Sequence, residues 1–301
     1  MTSGGRSQDF RRIAVRKRWG LVGLMTVSLV VSLSVTSGPT ASAASTPNCG
    51  GTAIYKADGT AWQCTFDDEF NGNRLDTTKW LPQTSFVTGD SAGMYACYQN
   101  SPNNISVSSG ALHLTMRKES QPIWCPDGLA PSYYSAGMVS TYHLFSQEYG
   151  RFEVRMRAQA TNISGLNEDF WMWPDDRYST INWPSSGEMD VNQQFSVYPG
   201  YSVPYLHYTS NDNGGPIAGV NMQYCPAQRG VWNTYDLVWT ATSITISING
   251  TTCLVNTSGD PAFQKRYLID LTEAMGSGFD EASAATPLPA TMDVDYVRVW
   301  Q

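Results

Sequence analysis

The run Gly187-Glu188-Met189-Asp190-Val191-Asn192-Gln193 is the most informative stretch of the chain. Acidic Glu188 and Asp190 alternate with apolar Met189 and Val191. Successive side chains of a β-strand point to opposite faces, so the two acids share one face and the two apolar side chains share the other. The run therefore predicts a half-buried strand with a pair of carboxylates on its open face.

Strand-like alternation recurs along the rest of the chain, and helical patterns are almost absent. Asn249-Gly250 follows one of these runs, as a two-residue hairpin turn does. Many short strands with turns between them predict an all-β sandwich or barrel. The predicted strands cover residues 112–116, 151–158, 205–209, 235–240, 243–249 and 292–300.

The N-terminal region has the pattern of a secretory signal peptide. Six basic residues precede an apolar run from Leu21 to about Val35, and Ala41-Ser42-Ala43 follows. A membrane anchor is the alternative, but the run is shorter than the roughly 20 apolar residues that a span needs. We expect residues 1–43 to be removed, 44–61 to form an N-terminal segment and 62–301 to form one domain. The mature protein is expected to be extracellular and not membrane-bound.

Charge and cysteine content restrict the possible partners and the expected compartment of the protein. Residues 1–43 contain six of the 19 basic and one of the 26 acidic residues, so 13 basic and 25 acidic residues remain, a net charge of -12. Such acidity argues against binding nucleic acid. All six cysteines follow residue 43, and an exported chain meets oxidising conditions, so we expect three disulfides. The simplest pairing joins sequence neighbours: 49 with 64, 97 with 125 and 225 with 253.

Several further segments, taken with the 187–193 run, resemble glycoside hydrolase family 16. The resemblance extends over about residues 62 to 301. It implies a two-sheet antiparallel β-sandwich, a jelly roll, with a substrate groove across its concave sheet. The implied partner is a β-linked polysaccharide, such as a β-glucan or a galactan, and a monomer is expected. The matching segments are 66–72, 75–80, 136–141, 149–155, 232–239 and 294–300.

The same resemblance implies the catalytic roles. Glu188 is the nucleophile of a retaining glycosidase, and Asp190 orients it and tunes its charge. The family motif, Glu-x-Asp-x-x-Glu or the form shorter by one residue, ends in a glutamate that acts as general acid and base. Here that position holds an amide, Gln193 if the strand is bulged and Asn192 if it is not. Gln193 is expected, because it has the shape of glutamate and the bulged family form has the same spacing. An amide cannot donate this proton, and general acid catalysis is typically worth about 10² to 10⁴ in rate.

Three interpretations remain open from the sequence. The chain is a hydrolase whose acid comes from another residue, or a lectin-like protein that binds polysaccharide without cutting it, or a structural sandwich. Paired acids on an open face favour the first two. The candidates for a substitute acid, by proximity in sequence, are Glu168, Asp169, Asp175, Asp176 and Asp212.

Aromatic side chains near the motif are candidate sugar platforms, because flat rings pack against the C–H faces of pyranoses. Trp173 and Trp183 flank the motif and are the first choices. His207 is a candidate hydrogen-bond donor to substrate. Trp239 and Trp300 are instead expected in the core. The secondary platform candidates are Trp171, Tyr98, Tyr205 and Tyr208.

No cofactor is expected for the chemistry, but the resemblance implies a structural calcium ion. Simple alternation places Asp295 on the face of Val297 and Val299, where an unpaired carboxylate would be costly. Family members often bind calcium through this aspartate and oxygens near the equivalents of Glu69 and Gly110. A salt bridge from Asp295 to an arginine is the alternative.

Overall fold

The computed structural model describes residues 48–90, 92–125, 129–210 and 215–301, and within them the secondary structure is β-strand with three short 3₁₀ turns. The expected signal peptide and Asp212 lie outside the described residues. The 3₁₀ turns are Cys49–Gly51, Pro261–Phe263 and Gly278–Asp280. The strands are β1 Cys64–Asp68, β2 Leu81–Pro82, β3 Val87–Gly89, β4 Tyr95–Tyr98, β5 Ile105–Ser108, β6 Ala111–Ile123, β7 Ser132–Ala136, β8 Met138–Ser140, β9 Gly150–Arg157, β10 Leu166–Pro174, β11 Glu188–Phe195, β12 Tyr201–Ser202, β13 Tyr205–His207, β14 Cys225–Pro226, β15 Asn233–Trp239, β16 Ile244–Ile248, β17 Thr251–Asn256, β18 Tyr267–Met275 and β19 Ala290–Trp300.

Two sheets form the sandwich. The larger sheet has the strand order β17-β16-β15-β9-β19-β6-β7-β4-β3, with β1 beside β19 and β5 beside β6. The six-stranded sheet has the order β13-β11-β10-β18-β8-β2. Within the described chain, named strands pair antiparallel except for β4 with β7. The predicted all-β sandwich is confirmed, and the turn at Asn249-Gly250 joins β16 to β17 with positive φ at both residues.

The main core fills the space between the sheets. Phe170 and Met172 of β10 point into it and are fully buried there with Phe152 and Leu237 of the larger sheet. The intervening residues of β10 therefore point the other way, onto what we call the outer face, the side of the six-stranded sheet that faces away from the larger sheet. Trp239 and Trp300 are 1% and 3% exposed, as predicted for core residues.

Three disulfides join the cysteines in the simplest predicted pairing, 49 with 64, 97 with 125 and 225 with 253. The first ties the 3₁₀ turn Cys49–Gly51 to β1 and so holds the segment before the sandwich against it. In the described part of the chain, no helix is long and apolar enough to cross a membrane.

A group of charged side chains is buried between the sheets. Arg229 donates to both carboxylate oxygens of Glu168, and neither side chain is exposed. Glu273 on β18 is the cross-strand partner of Glu168, and neither of its carboxylate oxygens has a hydrogen-bond partner. Burial, reinforced by the charge of Glu168, raises the pKa of Glu273 well above its ordinary value.

This arrangement makes stability depend on pH. Because the folded-state pKa of Glu273 is raised, its contribution to the free energy of unfolding is fully present below about pH 4, the pKa of a glutamate in the unfolded chain. It is lost as the pH rises toward the folded pKa, because deprotonation leaves a buried, unpaired charge. We expect Glu273→Gln to cancel this loss, so the melting temperature of the variant should exceed that of wild type increasingly from pH 5 to pH 8. Parallel melting curves across that range would contradict the account.

Candidate active site

Backbone geometry at Gly187 brings the first carboxylate onto the outer face. Gly187 has φ of +89°, a conformation that disfavours side chains. A Cβ atom there would also lie 1.9 Å from the hydroxyl oxygen of Tyr267. The chain can therefore enter β11 next to Tyr267 only with glycine at this position. Glu188 then begins the strand opposite His207 of β13.

A bulge in β11 decides which amide joins the carboxylates. Opposite β10, Trp171 pairs with Asp190 and Phe170 pairs with Asn192, so Val191 is the extra residue. Asn192 consequently points inward, where its Nδ2 donates to the Glu168 carbonyl at 2.7 Å and its Oδ1 accepts from Ser202. Gln193 returns to the face of Glu188 and Asp190.

Hydrogen bonds connect the side chains of this site. The indole Nε1 of Trp183 donates to Glu188 Oε2 at 2.6 Å. Gln193 Nε2 donates to Asp190 Oδ2 at 3.0 Å, and His207 Nε2 lies 3.2 Å from the same oxygen. Asp190 is 2% exposed, whereas Glu188 and Gln193 are half-buried. The buried Asp190 thus anchors two neighbours, and Glu188 is held by a separate donor.

Electrostatics at the site disfavour the ionised form of Glu188. Burial and the adjacent charge of Asp190 raise the pKa of Glu188 to about 8. His207 and the Trp183 N–H act in the opposite direction by stabilising the carboxylate. These two groups therefore favour the ionised form of Glu188.

The predicted aromatic platforms differ in accessibility. Trp171 and Trp173 lie on the outer face but are each 7% exposed and pack edge-to-face, with centroids 6.0 Å apart. Trp183 is half-buried and beside Glu188. Tyr98 is 1% exposed and packs against Phe86, so the expectation that it contacts sugar is wrong for this structure. The reason is that the Tyr98 ring is packed inside a second apolar cluster, which also contains Trp171 and Leu268.

The other predicted aromatic residues belong to β13 and the segment after it. Tyr205 stacks on His207 with ring centroids 4.0 Å apart, and both side chains are half-buried. Tyr205 is the cross-strand partner of Asp190. Tyr208 instead packs against Phe263 and the main core. A sugar role for Tyr205 and His207 stays a prediction.

Three of the candidate substitute acids are bound by other side chains, away from Glu188. Glu168 is inside the sandwich with Arg229. Asp175 is buried and accepts hydrogen bonds from Arg177 and Ser146, which lower its pKa. Asp176 is exposed and bound by His143 at 2.7 Å and by a tyrosine hydroxyl.

Of the described candidates Asp169 remains, and the structure adds Asp270 on the same outer face. Asp169 of β10 is the cross-strand partner of Gln193. Asp270 of β18 is the partner of Trp171 and is a site residue that sequence reasoning missed. It is 2% exposed, and burial raises its pKa to about 8. Asp270 reaches the motif because β18 pairs with β10 and β10 pairs with β11. The sequence of β18 alone does not reveal this pairing.

The predicted calcium ligands do not form a cation site. Asp295 is the bulged residue between Val294 and Tyr296, so it leaves the apolar face and becomes half-exposed. Its carboxylate accepts from Arg155, the salt bridge that was the alternative. Glu69 forms a two-point ion pair with Arg298 at 2.7 and 2.8 Å. Because arginine already neutralises both carboxylates, these residues do not fit calcium, and Gly110 gains no role from it.

The Trp183 hydrogen bond allows a direct test. Trp183→Phe keeps an aromatic ring but removes the N–H that favours ionised Glu188. A hydrogen bond to a charged group is worth about 1.5–3 kcal/mol, so kcat/KM on a glycoside substrate should fall by about tenfold or more. The acidic limb of its pH profile should also move to higher pH. Trp124→Phe, at a 75% exposed position, is the matched control and should change neither quantity.

Comparison with known proteins identifies the family. The profile described as "Glycosyl hydrolases family 16" matches residues 92–298, which is more than half of the chain. The protein therefore belongs to glycosyl hydrolase family 16, as the sequence motifs indicated.

Relatives of known activity differ in their substrates. The chain is 29% identical over 264 residues to the glucan endo-1,3-beta-glucosidase A1 of Niallia circulans, covering 80% of this chain and 37% of that protein. It is 28% identical over 253 residues to the keratan-sulfate endo-1,4-beta-galactosidase of Sphingobacterium multivorum, covering 80% of this chain and 56% of that one. The chain thus spans about half or less of either protein's length.

A solved structure also resembles the fold. It belongs to SCLam, a non-specific endo-beta-1,3(4)-glucanase of the same family, as a mutant crystallised with a glucan oligosaccharide. The TM-score is 0.69 at 26% identity, and the match covers 82% of this chain and 96% of that one.

Proposed function

We propose that this protein is an endo-acting hydrolase of a β-linked polysaccharide, a β-glucan or a galactan, with a retaining mechanism in which Glu188 is the nucleophile. The observation that carries this proposal is the position of Glu188, half-buried on the outer face with the Trp183 N–H at 2.6 Å. A carboxylate held by one donor beside an aromatic ring is positioned to attack an anomeric carbon when a sugar ring packs there. Family membership and the endo-glycosidase relatives support the same reaction.

Asp190 and His207 have supporting roles in this proposal. Asp190 lies two residues from Glu188 on the same face, where its charge raises the pKa of Glu188 and would stabilise the positive charge that develops on the sugar in the transition state. His207 stands opposite Glu188 and close to Asp190, where a protonated ring offsets part of the local negative charge. No group in this scheme requires a cofactor. Export to an oxidising compartment also belongs to the proposal, and the three disulfides support it.

One observation favours a second function. Gln193 lies on the face of Glu188 and Asp190, where the family resemblance implies the acid and base, and its amide cannot protonate a leaving group. A lectin-like protein that binds polysaccharide on the same face without cutting it is therefore the alternative.

A substrate panel with product analysis separates the two functions. Laminarin, mixed-linkage β-glucan, agarose and keratan sulfate would be incubated with the protein and followed by mass spectrometry and proton NMR. The proposal expects internal cleavage to oligosaccharides whose new reducing ends first appear as the β anomer. Binding to one of these polymers without any turnover would replace the hydrolase with the lectin-like function.

A further inference from the structure

We infer that Asp169 is the general acid and base of this site, in the role that the amide of Gln193 cannot perform. This inference rests on the proposed function, since it presumes that Glu188 attacks a glycosidic bond. It assigns the missing acid to the strand next to the one that carries the nucleophile.

Position is the first argument. Asp169 and Gln193 are direct partners across the antiparallel pair of β10 and β11. Opposite residues on neighbouring strands have Cβ atoms about 4.5–5.5 Å apart and project from the same face of the sheet. The carboxyl group of Asp169 therefore projects beside the Gln193 side chain. Of the described acids considered as substitutes, Asp169 is the half-buried one on this face.

The hydrogen bonds of Asp169 leave it suited to hold a proton. Oδ2 accepts from Asn167 Nδ2 at 3.1 Å, and Oδ1 is buried without a hydrogen-bond partner. An ionised carboxylate with an unsatisfied buried oxygen is costly, whereas a protonated carboxyl carries no such charge. In contrast to Glu168 and Asp175, Asp169 forms no ion pair with an arginine of the described chain.

The surrounding charges also favour the protonated form of Asp169. Burial, followed by the charges of Asp190, Glu168 and Glu188, raises the pKa of Asp169 well above its ordinary value. Glu273 and the phenol of Tyr98 are further titratable groups that interact with it. None of these neighbours is a cation, so the free site favours the protonated form that a general acid needs.

The chemistry then balances over two steps. In the first, the Glu188 carboxylate forms a bond to the anomeric carbon while Asp169 gives its proton to the departing glycosidic oxygen. Esterification removes the charge of Glu188, one cause of the raised pKa of Asp169, so the Asp169 carboxylate becomes easier to keep ionised. In the second step, Asp169 takes a proton from water, whose oxygen attacks the anomeric carbon and releases Glu188.

The test compares two substrates with different needs for acid. Asp169→Asn should lower kcat/KM on laminarin by about 10² or more, the scale of one general acid. On 2,4-dinitrophenyl β-laminaribioside, whose leaving group needs no proton, kcat/KM should stay within about tenfold of wild type. Sodium azide should raise kcat of Asp169→Ala on this substrate and yield the β-glycosyl azide, because azide needs no base. Asp176→Asn, an exposed aspartate, is the matched control.

A second substitution that restores a carboxyl group distinguishes the loss of the acid from misfolding of the variant. Gln193→Glu in the Asp169→Asn background should recover at least about tenfold of the lost laminarin activity, since the acid returns to the neighbouring strand. Equal losses on both substrates, or no loss on either, would overturn the role of Asp169. So would a wild type that cleaves only the dinitrophenyl glycoside and gains laminarin activity from Gln193→Glu alone. A wild type inactive on every substrate would refute the proposed function itself.

Discussion

Replacement of Glu188 with alanine should lower kcat/KM by about 10⁴ or more on both laminarin and the dinitrophenyl glycoside. Both substrates lose activity because the missing group forms the bond to the anomeric carbon, whatever the leaving group requires. This pattern differs from that expected for Asp169, where only the substrate with a poor leaving group is strongly affected. Steady-state kinetics on the two substrates measure the difference.

Azide gives the Glu188 variant a distinct product. With the side chain removed, azide can occupy the space of the Glu188 carboxylate and attack the anomeric carbon from the face opposite the leaving group. Glu188→Ala should therefore form the α-glycosyl azide. Asp169→Ala should form the β product instead. Glu148→Ala removes a carboxylate from the segment between β8 and β9 and should leave the kinetics and products of wild type unchanged. Retention of more than about a tenth of wild-type activity in Glu188→Ala would show that another residue is the nucleophile.

Replacement of Arg229 with methionine should destabilise the fold by about 3–5 kcal/mol, because it leaves Glu168 buried without its ion-pair partner. Arg229 also donates to the backbone carbonyls of Gln194 and Gln159, so the substitution removes a hydrogen bond from each of these carbonyls. Urea unfolding with intact disulfides measures the change in free energy. Replacing the pair together, Arg229→Met with Glu168→Leu, should recover much of the loss.

The surface pair of Arg155 with Asp295 provides the control for this experiment. Its side chains are 36% and 33% exposed, so water screens the charges. Arg155→Met should therefore cost about 1 kcal/mol or less. An Arg229→Met variant that lost no more than this control would contradict the view that a buried ion pair sets the stability of the sandwich.

Alternation and turn residues predict much of this fold. The strands around Val154, Leu237 and Val294 lie where their period-two patterns place them, because each buries one apolar face between the sheets. The pairing of cysteines that are neighbours in sequence is also confirmed.

Bulges limit what the pattern can predict. One extra residue shifts every following side chain to the opposite face, and its position depends on the partner strand. At Val191 the family resemblance suggested the bulge, so Gln193 could be considered in advance. At Asp295 the sequence carries no such sign, so simple alternation predicts the apolar face for a carboxylate that is half-exposed in the structure.

Contacts between distant strands limit the prediction of the site. Asp169 was one of five acids near the motif, and only the pairing of β10 with β11 sets it opposite Gln193. Asp270 lies 80 residues beyond Asp190 in the chain and reaches the same face through β18. The burial of Tyr98 likewise depends on the packing of β4, which its own sequence does not reveal.

Trapping the glycosyl-enzyme tests the central claim most directly. In a 2-deoxy-2-fluoro β-laminaribioside the fluorine destabilises both transition states. A dinitrophenyl leaving group speeds the first step only, so the ester forms faster than it is hydrolysed and accumulates. Peptide mass mapping should then find one laminaribiosyl adduct on Glu188, and Glu188→Ala should carry none. An adduct on another residue, or turnover of laminarin with inversion and no adduct, would contradict the account.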